Sequence, residues 1–191
     1  MKYPYGKIDR LREALEAEGI SEFIIAIILQ DGEKINNSTD AQAKAQWLKG
    51  AMQRLAEQVP GSRIQRIREA CACCKGGLRN KLSKAIFKNN PDLPSRLAAA
   101  NQTPFVFGHS VKQLSEGVFE VCYFAENARL RCSCLPQAEG SFPVSYCMCC
   151  GGHVKHHLQN ALGIPLQVKV KHSVLTSNGS QPCTFVLSLA D

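Results

Sequence analysis

The chain has no apolar run long enough to cross a bilayer. Its longest, Phe23 to Leu29, falls far short of the roughly 20 residues a spanning helix needs. The opening Met1-Lys2-Tyr3-Pro4-Tyr5-Gly6-Lys7-Ile8 lacks the apolar core and small-residue cleavage site of a secretory signal. We therefore expect a cytoplasmic protein, in a compartment where clustered cysteines more often hold metal or do redox work than form structural disulfides. Low-complexity segments are absent. So are a hydrolase triad and a phosphate loop. The glycine pairs Gly76-Gly77 and Gly151-Gly152 have neither the spacing of the dinucleotide fingerprint nor a Gly-Lys-Ser/Thr ending. Aromatic residues make up only 7% of the chain, and few are interleaved among the basic residues between Arg63 and Lys88. That basic stretch reads as a solvated face, not a nucleic-acid groove. The formal net charge of +7 adds little, because every thiolate ligand removes one positive unit.

What the chain has in excess is cysteine: ten in 191 residues. Eight fall in three clusters, Cys71-Ala72-Cys73-Cys74-Lys75-Gly76-Gly77, Cys132-Ser133-Cys134 and Cys147-Met148-Cys149-Cys150-Gly151-Gly152-His153. Cys71/Cys74 and Cys147/Cys150 are Cys-x-x-Cys pairs, a spacing that lets a tight turn present both sulfurs to one ion. Glycine after the second ligand relieves crowding there, since it alone takes positive φ without steric cost. The simplest construction is a tetrahedral zinc ion held by Cys71, Cys74, Cys147 and Cys150. Cys73, Cys132, Cys134 and Cys149 are alternates or members of a second site, because Cys-x-Cys also chelates. An iron–sulfur cluster is the lesser alternative.

Two other chemistries stay open. If both triplets precede a helix, its N-terminal amides lower the thiol pKa and favour a redox switch. If one coordination position is open, a bound water becomes a hydrolytic nucleophile, with Glu116, Glu120 or Glu126 as candidate bases. Enzyme activity is thus undecided. Isolated Cys122 and Cys183 read as small core residues. His153 stands beside the cysteines at the expected helix start, whereas His156 and His157 read as a polar helix face. A homo-oligomer is left open.

Helical spacing predicts elements over Ile8, Leu11 and Leu15, over Phe23 to Leu29, and from the Ser38-Thr39-Asp40 cap through Trp47, Leu48, Ala51, Met52, Leu55 and Val59. Ser62 is expected to cap the next helix, which delivers Cys71 at its end. Leu78, Leu82, Ala85 and Ile86 mark another, and a short segment starts at Pro94-Ser95. Strands are expected at Phe105–Phe107, Val118–Phe124 and Arg129–Cys132. A helix over Gly152–Leu162 follows, closed by Gly163, and then a hairpin from Leu166–Val174 to Cys183–Leu189 with Asn178-Gly179 in the turn. The fold class is α+β within one domain, helical over residues 1–103 and mixed over 104–191.

The run Cys147-x-Cys149-x-x-Gly152-His153, Leu162-Gly163-x-Pro165-x-x-Val168-x-Val170 and Gly179-x-x-x-Cys183-x-Phe185 resembles a known C-terminal pattern. It is similar to that of four-vinyl-reductase-type small-molecule-binding domains and of amino-thiazoline-carboxylate hydrolase-like proteins, and to that of bacterial proteins carrying a similar upstream Cys-x-Cys. The resemblance covers about a quarter of the chain. It implies the fold shared with haem-based nitric-oxide sensor domains and Golgi transport-particle subunits, in which helices pack on an antiparallel sheet around a pocket for a small apolar ligand. Ser173 stands where related domains often carry a cysteine. No histidine has a haem-ligand context, and no catalytic residue carries over.

Overall fold

Helices form in this chain where an apolar stripe and a capping side chain agree. A computed structural model, describing residues 2–124 and 130–190, has α1 (Gly6–Ala17), α2 (Glu22–Ile28), α3 (Ala41–Gln58), α4 (Gly61–Ala70), α5 (Gly77–Asn89) and α6 (Leu93–Asn101) in succession. Ser21 caps α2 by accepting from the Ile24 amide, and Asp40 caps α3 by accepting from Gln42 and Ala43. The apolar run Phe23–Leu29 is thus helical, as its flanking helices suggest. Along α3, Leu48, Ala51, Met52 and Leu55 are buried. Ser62 does not cap α4; Pro60 occupies that position and Ser62 lies in the first turn. Proline serves there because its fixed φ suits a helix entry and the first amides have no intrahelical partner. Leu78 departs from the α5 stripe and is exposed.

The second half contains α7 (Pro104–Phe107), β1 (Ser110–Ser115), β2 (Val118–Cys122), α8 (Val144–Leu162), β3 (Leu166–His172) and β4 (Thr184–Leu189). Among the described residues this makes an α+β fold of eight α-helices and one antiparallel sheet, ordered β1-β2-β4-β3. The expected C-terminal hairpin is β3–β4, paired from Leu166↔Leu189 to His172↔Thr184. Asn178 and Gly179 both take positive φ in the loop between them. β2 lies between β1 and β4, with Phe119 opposite Leu187 and Val121 opposite Phe185, so these large side chains share one buried face.

Three further expectations are corrected. Phe105-Val106-Phe107 is a helical turn, because Pro104 starts a helix readily and Val106 and Phe107 reach the core from it. Leu130 to Cys132 is irregular chain, while Arg129 lies outside the described residues. β1 carries little strand signal because four of its six residues are exposed. The side chain of Asn101 bonds both the amide and the carbonyl of Val111 at that outer edge, each at 2.8 Å.

The third correction matters most for the site. The helix expected from Gly152 starts eight residues earlier, after Pro143, so the whole Cys147–His153 motif is helical. Gly151 and Gly152 are not turn residues. A Cβ on Gly152 would stand 2.5 Å from the Glu69 carbonyl oxygen, and one on Gly151 would meet Val168 at 3.5 Å. The pair lets α8 lie directly against α4 on one side and the sheet on the other. Two buried apolar clusters meet along α8: one holds Tyr146 and Cys147 among residues of α1 to α4, the other Val154, Leu158 and Leu162 among those of the sheet.

Candidate metal centre

Three chain segments bring the cysteine clusters together. Cys71 is the C-cap of α4, with its thiol facing the Arg10 carbonyl at 3.7 Å. The chain then runs through exposed Cys73 and Cys74, whose sulfurs are 3.5 Å apart, to Gly77 at φ 62°, where α5 opens. Cys132 and Cys134 lie on the irregular segment before α8. Lys7 ties that segment down, donating to the Cys134 carbonyl at 2.7 Å. Cys149 and Cys150 come from the second turn of α8.

Cys71, Cys73, Cys134 and Cys149 line one cavity of about 30 Å³, walled also by Lys7, Arg10, Arg68 and Tyr146. That is room for a water-sized particle and little more. Cys149 donates its thiol to the Tyr146 carbonyl at 3.2 Å, and Cys132 and Cys150 are the neighbours that act most on the Cys134 thiol. Interaction with Cys132, then with Cys150, pulls the Cys134 thiol far below its ordinary value, to about 2, with Lys7 adding to the effect. Interaction with the neighbouring Cys150 thiol, with Arg68 nearby, brings Cys149 to about 6. Burial pushes Cys71 up. Among the described residues, no group of three or more His, Cys, Asp or Glu side chains is placed so that it could hold a metal ion.

Cys147, a first-choice ligand by spacing, is turned away. Its thiol donates to Ser173 Oγ at 3.1 Å, and burial raises it to about 12. On a helix, residues two apart lie about 200° round the axis from each other, so with Cys149 facing the cavity Cys147 faces nearly the opposite way, whereas the expected turn would have converged the cluster. The position noted for its serine therefore has a partner in this chain.

Arg68 is the residue that motif spacing overlooks. It is 4% exposed, donates to the Ser145 and Tyr146 carbonyls at 3.1 and 3.2 Å, and forms no ion pair with a described carboxylate. A buried cation without a counter-anion is costly. The ionisable groups within its reach are cysteines: Cys149 and Cys71, as thiolates, would do most to hold its charge. The one sequence signal is a charged residue four after Ile64 and three before Cys71, on the apolar face of α4.

The histidines also differ from expectation. His157 is fully buried, with Nε2 2.8 Å from the Cys74 carbonyl and Nδ1 3.1 Å from Ser83 Oγ, so it is no part of a polar face. His153 Nδ1 meets the same carbonyl at 3.1 Å. Burial, then proximity to His157, pushes His153 down to about 4. Together these rings pin the Cys73-Cys74 loop onto α8. His156 bonds Asn80 Oδ1. Cys122 and Cys183 are half-buried at the sheet, apart from the lined cavity.

Of the carboxylates weighed as bases, Glu120 pairs with Lys171 at 2.8 Å, Glu116 lies in the β1–β2 turn, and Glu126 is outside the described residues. Neither Glu116 nor Glu120 lines the cavity. A larger cavity of about 420 Å³ is lined by Cys132, two residues before Cys134, and by Leu135, Leu175, Gln42 and Arg131 among others. No described helix is long and apolar enough to cross a membrane. No protein-family model, curated protein or solved structure matches this chain.

Proposed function

We propose that this chain is a zinc-binding protein whose metal joins the end of α4, the 130–143 segment and the start of α8. One observation carries it: four cysteines from three segments line a cavity of ion size, faced by a buried arginine that pairs with no described carboxylate. Four thiolates around a divalent ion leave two negative charges, which Arg68 and Lys7 offset. The ligand set becomes Cys71, Cys73, Cys134 and Cys149, replacing the pairing of two Cys-x-x-Cys turns. The small volume favours a single ion over an iron–sulfur cluster. Four protein ligands and no lining carboxylate favour a structural centre over a hydrolytic one.

The 420 Å³ cavity supports a small-molecule-binding or sensor-type role, because Cys132, two residues before Cys134, lines it. A ligand seated there would act on the segment that carries Cys134. The test is elemental analysis of protein purified without added metal, joined to thiol counting before and after denaturation. Bound zinc with protected native thiols is expected. No metal and ten freely reactive thiols would overturn the proposal.

A further inference from the structure

We infer that Cys73 and Cys74 form a reversible vicinal disulfide, made by exchange with a low-molecular-weight disulfide, and that closing it expels the zinc ion. The coupling to zinc rests on the metal-binding reading above; the bond itself does not. Three observations single out this pair. Their sulfurs stand 3.5 Å apart, the one thiol-to-thiol hydrogen bond among the described residues. They are also the exposed cysteines of the chain, whereas Cys71 and Cys147 are buried and the remaining six are half-buried. Exchange needs a sulfur that a soluble disulfide can reach. Finally, Cys73 lines the ion-sized cavity and Cys74 stands outside its wall. One thiol of the pair is a ligand in the proposed set, and its neighbour is free to react.

The loop lets the two sulfurs meet. Both residues lie on irregular chain between α4 and α5, where no helix fixes the peptide plane. The Cys74 carbonyl accepts from His157 at 2.8 Å and lies 3.1 Å from His153 Nδ1, so that residue stays seated on α8. Around Gly76 a Cβ would meet nothing within 4 Å, which leaves the chain beyond it room to adjust. Adjacent Cα atoms are about 3.8 Å apart, closer than the roughly 4.4–6.8 Å that disulfides ordinarily span. The closed ring is therefore strained, and strained, exposed disulfides are the easily reduced, regulatory kind.

The step balances. The Cys74 thiolate attacks one sulfur of the small disulfide; that bond breaks, a small thiolate leaves with the Cys74 proton, and a mixed disulfide remains. The Cys73 thiolate then attacks the Cys74 sulfur. The mixed bond breaks, and the second small thiolate leaves and takes a proton from solvent. Both protein sulfurs are oxidised, and the small disulfide is reduced to two thiols. The four-thiolate set has lost a member, which releases the ion.

The test uses the full zinc-loaded chain treated with oxidised glutathione, followed by alkylation, peptide mass mapping and a zinc assay. The tryptic peptide 69–75 should be two hydrogens lighter, with Cys71 alkylated and no backbone fragment cut between residues 73 and 74. About one zinc ion should leave per ring formed, and reduced glutathione with added zinc should restore it. Cys74→Ser should load zinc as the unaltered chain does and lose it at least about tenfold more slowly. A bond from Cys71 to either neighbour, glutathione adducts without a ring, or zinc loss from Cys74→Ser at the unaltered rate overturns the inference. A ring without zinc release overturns the coupling. A chain that takes up no zinc overturns the metal-binding reading instead, and the peptide map still decides the ring.

Discussion

The two stretches Cys71–Gly77 and Cys147–His153 share a signature, Cys-x-Cys-Cys followed by paired glycines, and have opposite backbones. The first is a loop between α4 and α5, where Gly77 takes positive φ and a Cβ would meet nothing within 4 Å. The second is continuous helix, where Gly152 has ordinary φ and no room for a Cβ. Glycine is needed for conformation in one copy and for space in the other. The cysteines differ likewise. The loop exposes Cys73 and Cys74, whereas the helix distributes its thiols by rotation about its axis, so that Cys149 faces the cavity and Cys147 faces Ser173. Likeness of spacing is therefore weak evidence for likeness of role unless the backbone is known.

Metal removal should separate the two stretches most strongly. Chelation is expected to lower Tm by about 10 °C or more, because ligand binding and folding are linked. Amide exchange should rise across residues 71–76 and stay slow across 147–153, where backbone bonds are helical. Equal loosening in both would break the contrast. Next comes Gly152→Ala, expected to cost about 3 kcal/mol, read by urea denaturation, since α4 and α8 must move apart. Gly77→Ala should cost about 1–2 kcal/mol from the left-handed backbone alone. If the order of these two is reversed, the assignment of space to one and conformation to the other is wrong.

The smallest effect is on the acid side. Burial holds His157 below its ordinary value and His153 at about 4. Below about pH 6.5 the unfolded chain takes up protons that the folded chain refuses. The histidines' contribution to the stability of the metal-free protein should be level above that pH and fall as pH drops from about 6.5 toward 4. His157→Gln should flatten the slope, measured by Tm at pH 7 and pH 5. An unchanged slope would remove the clamp on the Cys74 carbonyl from the account of the loop.

Much of the fold is legible in the chain because pattern and punctuation coincide. Asp40 and the Leu48–Leu55 stripe define α3, and the alternation from Leu166 and from Cys183 defines the hairpin. Where one side chain serves two signals, legibility fails. Phe105-Val106-Phe107 has β-prone residues, but Pro104 and the nearby core select a helical turn. β1 is polar because it is an edge, so alternation has little to reveal. Val144 to Gly152 hides its helix behind a glycine pair that suggests a turn. The gathering of three cysteine clusters is readable from their chemistry; which thiol faces which is not, since it depends on helix rotation. The cations are less visible still. Lys7 and Arg10 lie more than sixty positions from the nearest clustered cysteine other than Cys71, and only the docking of α1 beside α4 brings them to the cavity.

Asn101 has a consequence for the sheet's outer boundary. By donating to the Val111 carbonyl and accepting from its amide, its side chain occupies the bonding slot that one residue of a fifth strand would fill. An incoming extended segment thus finds the start of β1 taken and must displace an amide already held in two bonds. The exposed remainder of β1, Lys112 to Ser115, is short and carries a lysine. Both features discourage edge-to-edge association. The end of one helix thereby acts as a stopper that keeps the β-sheet from growing between molecules.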